Sequence, residues 1–180
     1  AFTFDTGLRK GHEAAPLVVG GTMYVTTPYP NDVYALDLTR PDHPVKWHFQ
    51  PKPDPASQGV ACCDVINRGA VYGGGRLYFN TLDGNTFALD AATGTQIWKT
   101  KVGNITNGET ITMAPLLAEG RVLVGISGGE MGVRGSLTAL ENVCLAARYV
   151  GGDRGTARRH ALELLERFGV EHRRDHYPPQ

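Results

Sequence analysis

Two adjacent cysteines are the residues whose chemistry stands out most. They lie in Gly59-Val60-Ala61-Cys62-Cys63-Asp64-Val65-Ile66-Asn67-Arg68-Gly69. A bond between Cys62 and Cys63 closes an eight-membered ring. Neighbouring Cα atoms sit about 3.8 Å apart across a trans peptide, shorter than the usual disulfide span of roughly 4.4–6.8 Å. The joining peptide must then distort, and such strain is kept only where the surroundings enforce it. An oxidised pair would form a rigid, sulfur-faced plate suited to lie against a planar ligand. Arg68 follows closely and offers a fixed positive charge to an anionic or quinonoid oxygen. The alternative is two reduced cysteines packed in a core strand. The pair alone does not separate these readings.

A second constellation comes later. Gly108-Glu109-Thr110-Ile111-Thr112-Met113-Ala114-Pro115 precedes Ser127-Gly128-Gly129-Glu130. Glycines project nothing, so Ser127-Gly128-Gly129 can bring backbone N–H groups close to a ligand. Glu130 adds a hard oxygen donor. By itself a glutamate in such a turn is ordinary. The six histidines (His12, His43, His48, His160, His172 and His176) show no convincing metal-ligand spacing.

The chain has 180 residues and a formal net charge of zero. That length suffices for a domain with a sizeable core. Zero net charge leaves no basic excess to neutralise phosphates, which argues against nucleic acid or an anionic membrane surface as partner. No apolar run approaches the roughly 20 residues of a membrane-spanning helix. No signal peptide is visible at the start, and the missing initiator Met suggests that the start has been cut. The third cysteine, Cys144, lies far from the pair, and a bonded pair implies an oxidising compartment.

The elements that must position these residues are short strands separated by glycine turns, an all-β pattern. Leu17-Val18-Val19, Gly20-Gly21 and Met23 to Thr27 read as strand, turn, strand. Asp32 to Leu38 and Val45 to Phe49 form a second hairpin that closes on Trp47. The pattern recurs in Gly69 to Tyr72, Gly73-Gly74-Gly75 and Leu77 to Thr81, then in Thr86 to Asp90 and Thr95 to Lys99. Ala35-Leu36-Asp37 and Ala88-Leu89-Asp90 stand 53 positions apart, and Trp47 and Trp98 stand 51 apart. A third copy starts at Ala114-Pro115-Leu116-Leu117 and runs to Glu141. Four-stranded units near 50 residues long mark the blades of a β-propeller. A two-sheet sandwich is the weaker competitor.

The third unit stops halfway, and from residue 142 the composition changes. Thr156 is placed to cap a helix over about 156–168, whose apolar residues Ala157, Ala161, Leu164, Leu165 and Phe168 share a face and whose stop is Gly169. The expected division is therefore 1–141, a partial propeller, and 142–180, a dissimilar tail. The tail reads either as a docking segment or as foreign sequence from a frameshift; the break inside a blade favours the frameshift.

Taken together, the motifs strongly resemble the pyrroloquinoline quinone (PQQ)-dependent alcohol dehydrogenases of the methanol/ethanol type. Four segments carry the resemblance: Gly11-His12-Glu13-Ala14-Ala15-Pro16-Leu17-Val18-Val19, Cys62 to Gly69, Thr110 to Pro115, and Ser127 to Gly135. It covers roughly residues 5–141. It implies about three blades of an eight-bladed quinoprotein propeller with PQQ buried on its axis. By this resemblance Cys62 and Cys63 form the vicinal disulfide that stacks on one face of PQQ. Arg68 contacts the ortho-quinone oxygens. Glu13, Thr112, Ser127, Gly128 and Gly129 contact the carboxylates and ring edge. Glu130 touches the cofactor site as ligand to a Ca²⁺ or lanthanide ion. Gly129, with the turn from Asn80 to Thr86, resembles the lanthanide-using branch.

The resemblance further implies a periplasmic oxidoreductase acting on a small primary alcohol such as methanol. It implies a cytochrome c-type electron acceptor and allows a homodimer. The family's catalytic Asp, its Asn metal ligand and the Trp on the other PQQ face lie beyond the matching region. No catalytic residue is therefore assigned, and Asp153 and Asp175 in the tail do not take that role. The chain alone is expected to lack dehydrogenase activity. The competing readings are a non-catalytic propeller-like binding scaffold and a non-functional product of a disrupted gene.

Overall fold

The computed structural model describes residues 2–61, 64–118, 120–129, 132–133, 141, 143–144 and 153–176. These residues form two compact units. One comprises residues 1–117 with 122–133, the other residues 118–121 with 134–180.

The first unit contains two four-stranded antiparallel meanders. Strands β1 (Leu17–Val19), β2 (Thr22–Thr26), β3 (Val33–Asp37) and β4 (Val45–Phe49) pair in chain order. Strands β5 (Ala70–Gly73), β6 (Arg76–Asn80), β7 (Asn85–Asp90) and β8 (Gln96–Lys101) do the same. The glycine pairs make the tight first turns: Gly20 and Gly21 have φ of 54° and 74°, Gly74 and Gly75 of 58° and 76°. Positive φ at both central positions matches the right-handed twist of the flanking strands. Even the irregularities repeat. The register slips between Ala35 and Leu36 in the first sheet and between Ala88 and Leu89 in the second. A further hairpin, β9 (Leu116–Ala118) and β10 (Arg121–Leu123), begins the third repeat. The sheets are thus blades, and the arrangement is an open, partial propeller.

The strand period of two decides which residues meet between the blades. Leu17, Tyr24, Ala35 and Trp47 lie in one cross-strand row on the first blade. With Val33 and Phe49 they pack against Leu77, Phe79, Phe87 and Leu89 of the second. Phe49 meets Phe79 and Phe87 edge-on at 6.0 and 5.7 Å. Trp47 reaches across, donating from Nε1 to the Ala91 carbonyl at 3.1 Å, where the Tyr24 hydroxyl also donates at 3.0 Å. Gly94 sits beneath the indole with φ of 73°, and a Cβ there would lie 2.6 Å from Trp47 Cδ2. The Ala-Ala-Thr-Gly turn is therefore the seat of the preceding blade's tryptophan. The equivalent row of the second blade, Val71, Tyr78, Ala88 and Trp98, lies on its opposite face.

The N-terminal residues, which carry little sequence signal, do pack. Phe4 meets Tyr34 edge-on at 5.0 Å and Phe2 meets His43 at 4.2 Å. The segment roofs a cleft of about 520 Å³ over Met23, Val25 and Leu36.

In the second unit, helix α2 (Arg154–Arg167) differs at its start from the sequence reading (α1 is the single turn Ser57–Val60). Asp153 is the cap, its Oδ1 accepting from the N–H groups of Gly155 and Thr156 at 2.9 and 3.1 Å. Thr156 lies within the first turn, because a carboxylate three residues upstream already satisfies its free N–H. Ala157, Ala161 and Leu165 are buried, with Val143, Cys144 and Leu162 against the last two. Leu164 and Phe168 face solvent, contrary to the expected stripe. Gly169, with φ of 68°, ends the helix as expected. No helix among the described residues is long and apolar enough to cross a membrane.

Candidate functional site

The segment before β5 delivers Arg68 from a buried anchor. Asp64 turns the chain with φ of 66°, and Val65, Ile66 and Asn67 are buried. The Val65 carbonyl accepts from the Tyr29 N–H at 2.8 Å, tying the segment to the first blade. Arg68 emerges with its side chain 47% exposed.

Its contacts gather residues far apart in sequence. The Arg68 N–H donates to the Thr112 carbonyl at 2.9 Å, and Nη1 donates to Thr112 Oγ1 at 3.0 Å. The Thr112 and Ser127 hydroxyls lie 3.1 Å apart. Thr110 and Ser127 exchange two backbone hydrogen bonds, at 3.2 and 2.7 Å. On the other side, Arg68 Nη2 stands 3.4 Å from Glu13 Oε2, itself half-exposed. An ion pair this exposed contributes at most about 1 kcal/mol, so an anionic ligand can compete for the guanidinium.

Gly128 is buried directly after Ser127, and a Cβ there would collide with the Gly108 carbonyl and crowd Val133. Its φ of 122° also disfavours any other residue. The strand end can thus lie close against the Gly108 loop only as glycine. Gly129 is different. It is exposed, and a Cβ there meets nothing within 4 Å. The packing of this chain does not itself require glycine at 129.

The structure therefore brings Glu13, Arg68, Thr112 and Ser127 into one connected polar cluster, with Gly128 and Gly129 continuing from it. Cys62, Cys63 and Glu130 lie outside the described residues. Among the described residues no group of three or more His, Cys, Asp or Glu could hold a metal ion. The cleft under the N-terminal segment includes His12 but is lined largely by apolar residues and is separate from the Arg68 contacts. Sequence reasoning passed over Asn67 and Asn80 as participants. Both are almost fully buried and hydrogen-bonded at both ends of their amides. For Asn67 the signal was present in the Asn-Arg-Gly run, but an asparagine two residues before a glycine reads equally well as a turn residue.

Repeated four-stranded blades joined through a tryptophan seat, with a polar cluster at the ends of successive repeats, define a propeller protein. A family model described as "Outer membrane protein assembly factor BamB" matches residues 3–133. The chain is 53% identical over 141 residues to the "Lanthanide-dependent methanol dehydrogenase" of Methylacidiphilum fumariolicum (strain SolV), covering 78% of this chain and 23% of that protein. It is 49% identical over 147 residues to "Methanol dehydrogenase [cytochrome c] subunit 1" of Methylobacterium organophilum, with the same coverage. A solved "Europium-containing methanol dehydrogenase" superposes with a TM-score of 0.73 at 55% identity, covering 75% of this chain and 23% of that one. The chain belongs to the family of methanol-type quinoprotein alcohol dehydrogenases, and spans about 23% of the length of the curated relatives it matches.

Proposed function

We propose that this chain is an N-terminal portion of a periplasmic PQQ-dependent alcohol dehydrogenase that oxidises a primary alcohol such as methanol. In this reading residues 1–141 are about three blades of the eight-bladed propeller, and 142–180 are a separate tail. The observation that carries the reading is the Glu13–Arg68–Thr112–Ser127 cluster. A fixed guanidinium, two adjacent hydroxyls and the glycine backbone beyond them form a donor set suited to a flat, polyanionic quinone. PQQ when bound supplies the hydride acceptor, and a Ca²⁺ or lanthanide ion supplies Lewis acidity.

The chain's own residues bind and orient. Arg68 presents a planar, delocalised positive charge that would stabilise negative charge on a quinone oxygen. Thr112 and Ser127 offer hydroxyl donors, and the N–H groups of Gly128 and Gly129 add backbone donors that need no side-chain ordering. Cys62 and Cys63, as a disulfide, would form the plate against the ring. Glu130 would give the cation a hard oxygen. No group in this set is placed as general base, so alcohol deprotonation falls to residues beyond this chain. Electrons would pass to a cytochrome c-type acceptor.

The test is an absorbance and fluorescence titration of PQQ with the 180-residue chain in the presence of Ca²⁺ or La³⁺. A saturable change that Arg68→Ala abolishes is expected, with no sustained turnover of methanol or ethanol in a dye-linked assay. Absence of any PQQ binding overturns the reading. Sustained turnover overturns the assignment of the base elsewhere.

A further inference from the structure

The Arg68 and Thr112 segments lie 44 residues apart and are joined directly by one backbone hydrogen bond and one side-chain hydrogen bond. A pair of loops joined so sparsely can hinge. Behind them stands a second layer of contacts made by two asparagines, 2% and 1% exposed. Asn67 Nδ2 donates to the Asn80 carbonyl at 2.9 Å, and its Oδ1 accepts from the Gly69 N–H at 2.8 Å. Asn80 Nδ2 donates to the Met113 carbonyl at 2.8 Å, and its Oδ1 accepts from Thr86 Oγ1 at 2.8 Å.

These amides have only one workable orientation. A carbonyl only accepts and an N–H only donates, so neither Asn67 end can be exchanged. Asn80 must present nitrogen to Met113, which leaves its oxygen for the Thr86 hydroxyl. Asn80 ends β6, directly opposite Thr86 of β7, so the network is rooted in paired strands rather than in a loop. It grips the residues on both sides of Arg68's backbone and the residue next to Thr112. Burial makes the grip firm, because a broken bond would strand a polar group away from water.

We infer that Asn67 and Asn80 are positioning residues that set the separation of Arg68 and Thr112, and so the affinity and orientation of the cofactor held between them. The inference rests on the PQQ reading above. Neither asparagine is in the Arg68–Thr112–Ser127 cluster itself; they act through Arg68 and Thr112.

The test compares Asn67→Ala, Asn80→Ala and Asn67→Ser with Asn85→Ala in the 180-residue chain. The serine keeps a short acceptor for the Gly69 N–H but cannot reach the Asn80 carbonyl, so it carries the test if an alanine variant fails to fold. Asn85 is a buried asparagine of the same blade that donates to Asp83 Oδ2 at 2.8 Å instead, and it controls for a general loss of stability. Two readouts are taken: hydrogen exchange at the Arg68 N–H, and the Kd for PQQ. The Asn67 and Asn80 variants should lose protection at Arg68, keep it at Phe79 and Ala88, and bind PQQ about 10-fold or more weakly, the usual scale for supporting residues. Asn85→Ala should leave both within about 2-fold. Unchanged exchange at Arg68, or unchanged Kd once exchange has risen, overturns the inference. An unmutated chain that does not bind PQQ overturns the cofactor reading, and with it the cofactor role of the pair. Exchange at Arg68 then still decides separately whether the asparagines hold the loops.

Discussion

Arg68 is the side chain on which the proposed site turns, and its charge is shared between Glu13 and Thr112. Lysine keeps the charge but loses the planar fork, so the two contacts cannot be made together. Arg68→Lys should therefore weaken PQQ binding by about 10-fold or more while leaving thermal stability nearly unchanged, since a half-exposed pair contributes little. Equal titration curves for Arg68→Lys and the unmutated chain would place the cofactor elsewhere. Asp83 makes a different kind of prediction. It is buried, and burial, the largest single influence, pushes its carboxyl up. Hydrogen bonds from Thr81, Asn85 and the Asp54 N–H, with the charge of Lys101, outweigh this and bring it below the ordinary carboxylate value. A folded pKa below the unfolded one adds stability that is full above about pH 4 and is lost as the pH falls through the folded pKa. Asp83→Asn should lower stability at neutral pH and flatten its acid dependence. Urea midpoints measured between about pH 3 and 7 check this; a slope equal to that of the unmutated chain would show that Asp83 is not the group responsible.

At the level of elements, the blade-to-blade joint is the Trp47 seat. Gly94 is held at positive φ under the indole, so Gly94→Ala meets two penalties: a disfavoured backbone and a collision with a ring. Destabilisation of about 1–3 kcal/mol is expected, read as a lower urea midpoint with a reduced shift of Trp47 fluorescence on unfolding. Substituting Trp47→Phe in the same background should relieve most of the added cost, because the collision is with the indole. If the two substitutions add independently, the seat is not where the strain lies. The recurrence of the blade itself was readable beforehand. Spacings of 53 and 51 positions between the Ala-Leu-Asp and the Trp pairs announced similar blades, and the register slip repeats in both sheets. The cap of α2 was not readable, because Asp153 and Thr156 are both good capping residues and only the chain path chooses between them.

For the whole molecule, every described residue of the proposed site, from Glu13 to Gly129, belongs to one compact unit. Residues 1–133 alone should therefore bind PQQ with the Kd of the 180-residue chain to within about 2-fold, since they contain every described residue of the site. A chain of residues 1–133 that is folded by circular dichroism but does not bind would show that the remaining residues take part. The open blades carry a cost as well. Unpaired strand edges, among them β8 with its exposed Ile97, offer templates for association. Light scattering at rising concentration should show self-association, and mutation of exposed Ile97 to Lys should reduce it.

What the amino-acid sequence determined by itself is local and periodic. Strand alternation, glycine pairs at tight turns, the blade period and the chemical character of Cys62, Cys63, Arg68 and Ser127-Gly128-Gly129-Glu130 are all written in short stretches, because backbone geometry acts over a few residues. Tertiary structure decided which of these meet. Arg68 joins Thr112, 44 residues away, and Glu13, on the other side of it in the chain, because packing of the Phe79–Phe87 core sets one blade against the next. That same packing turned Asn80 from an apparent turn residue into a buried clamp. The opposite face of the first blade gave the N-terminal residues, which have no periodicity to read, a place beside Tyr34 and His43. Such meetings depend on the twist and separation of whole sheets, which no short run of residues specifies.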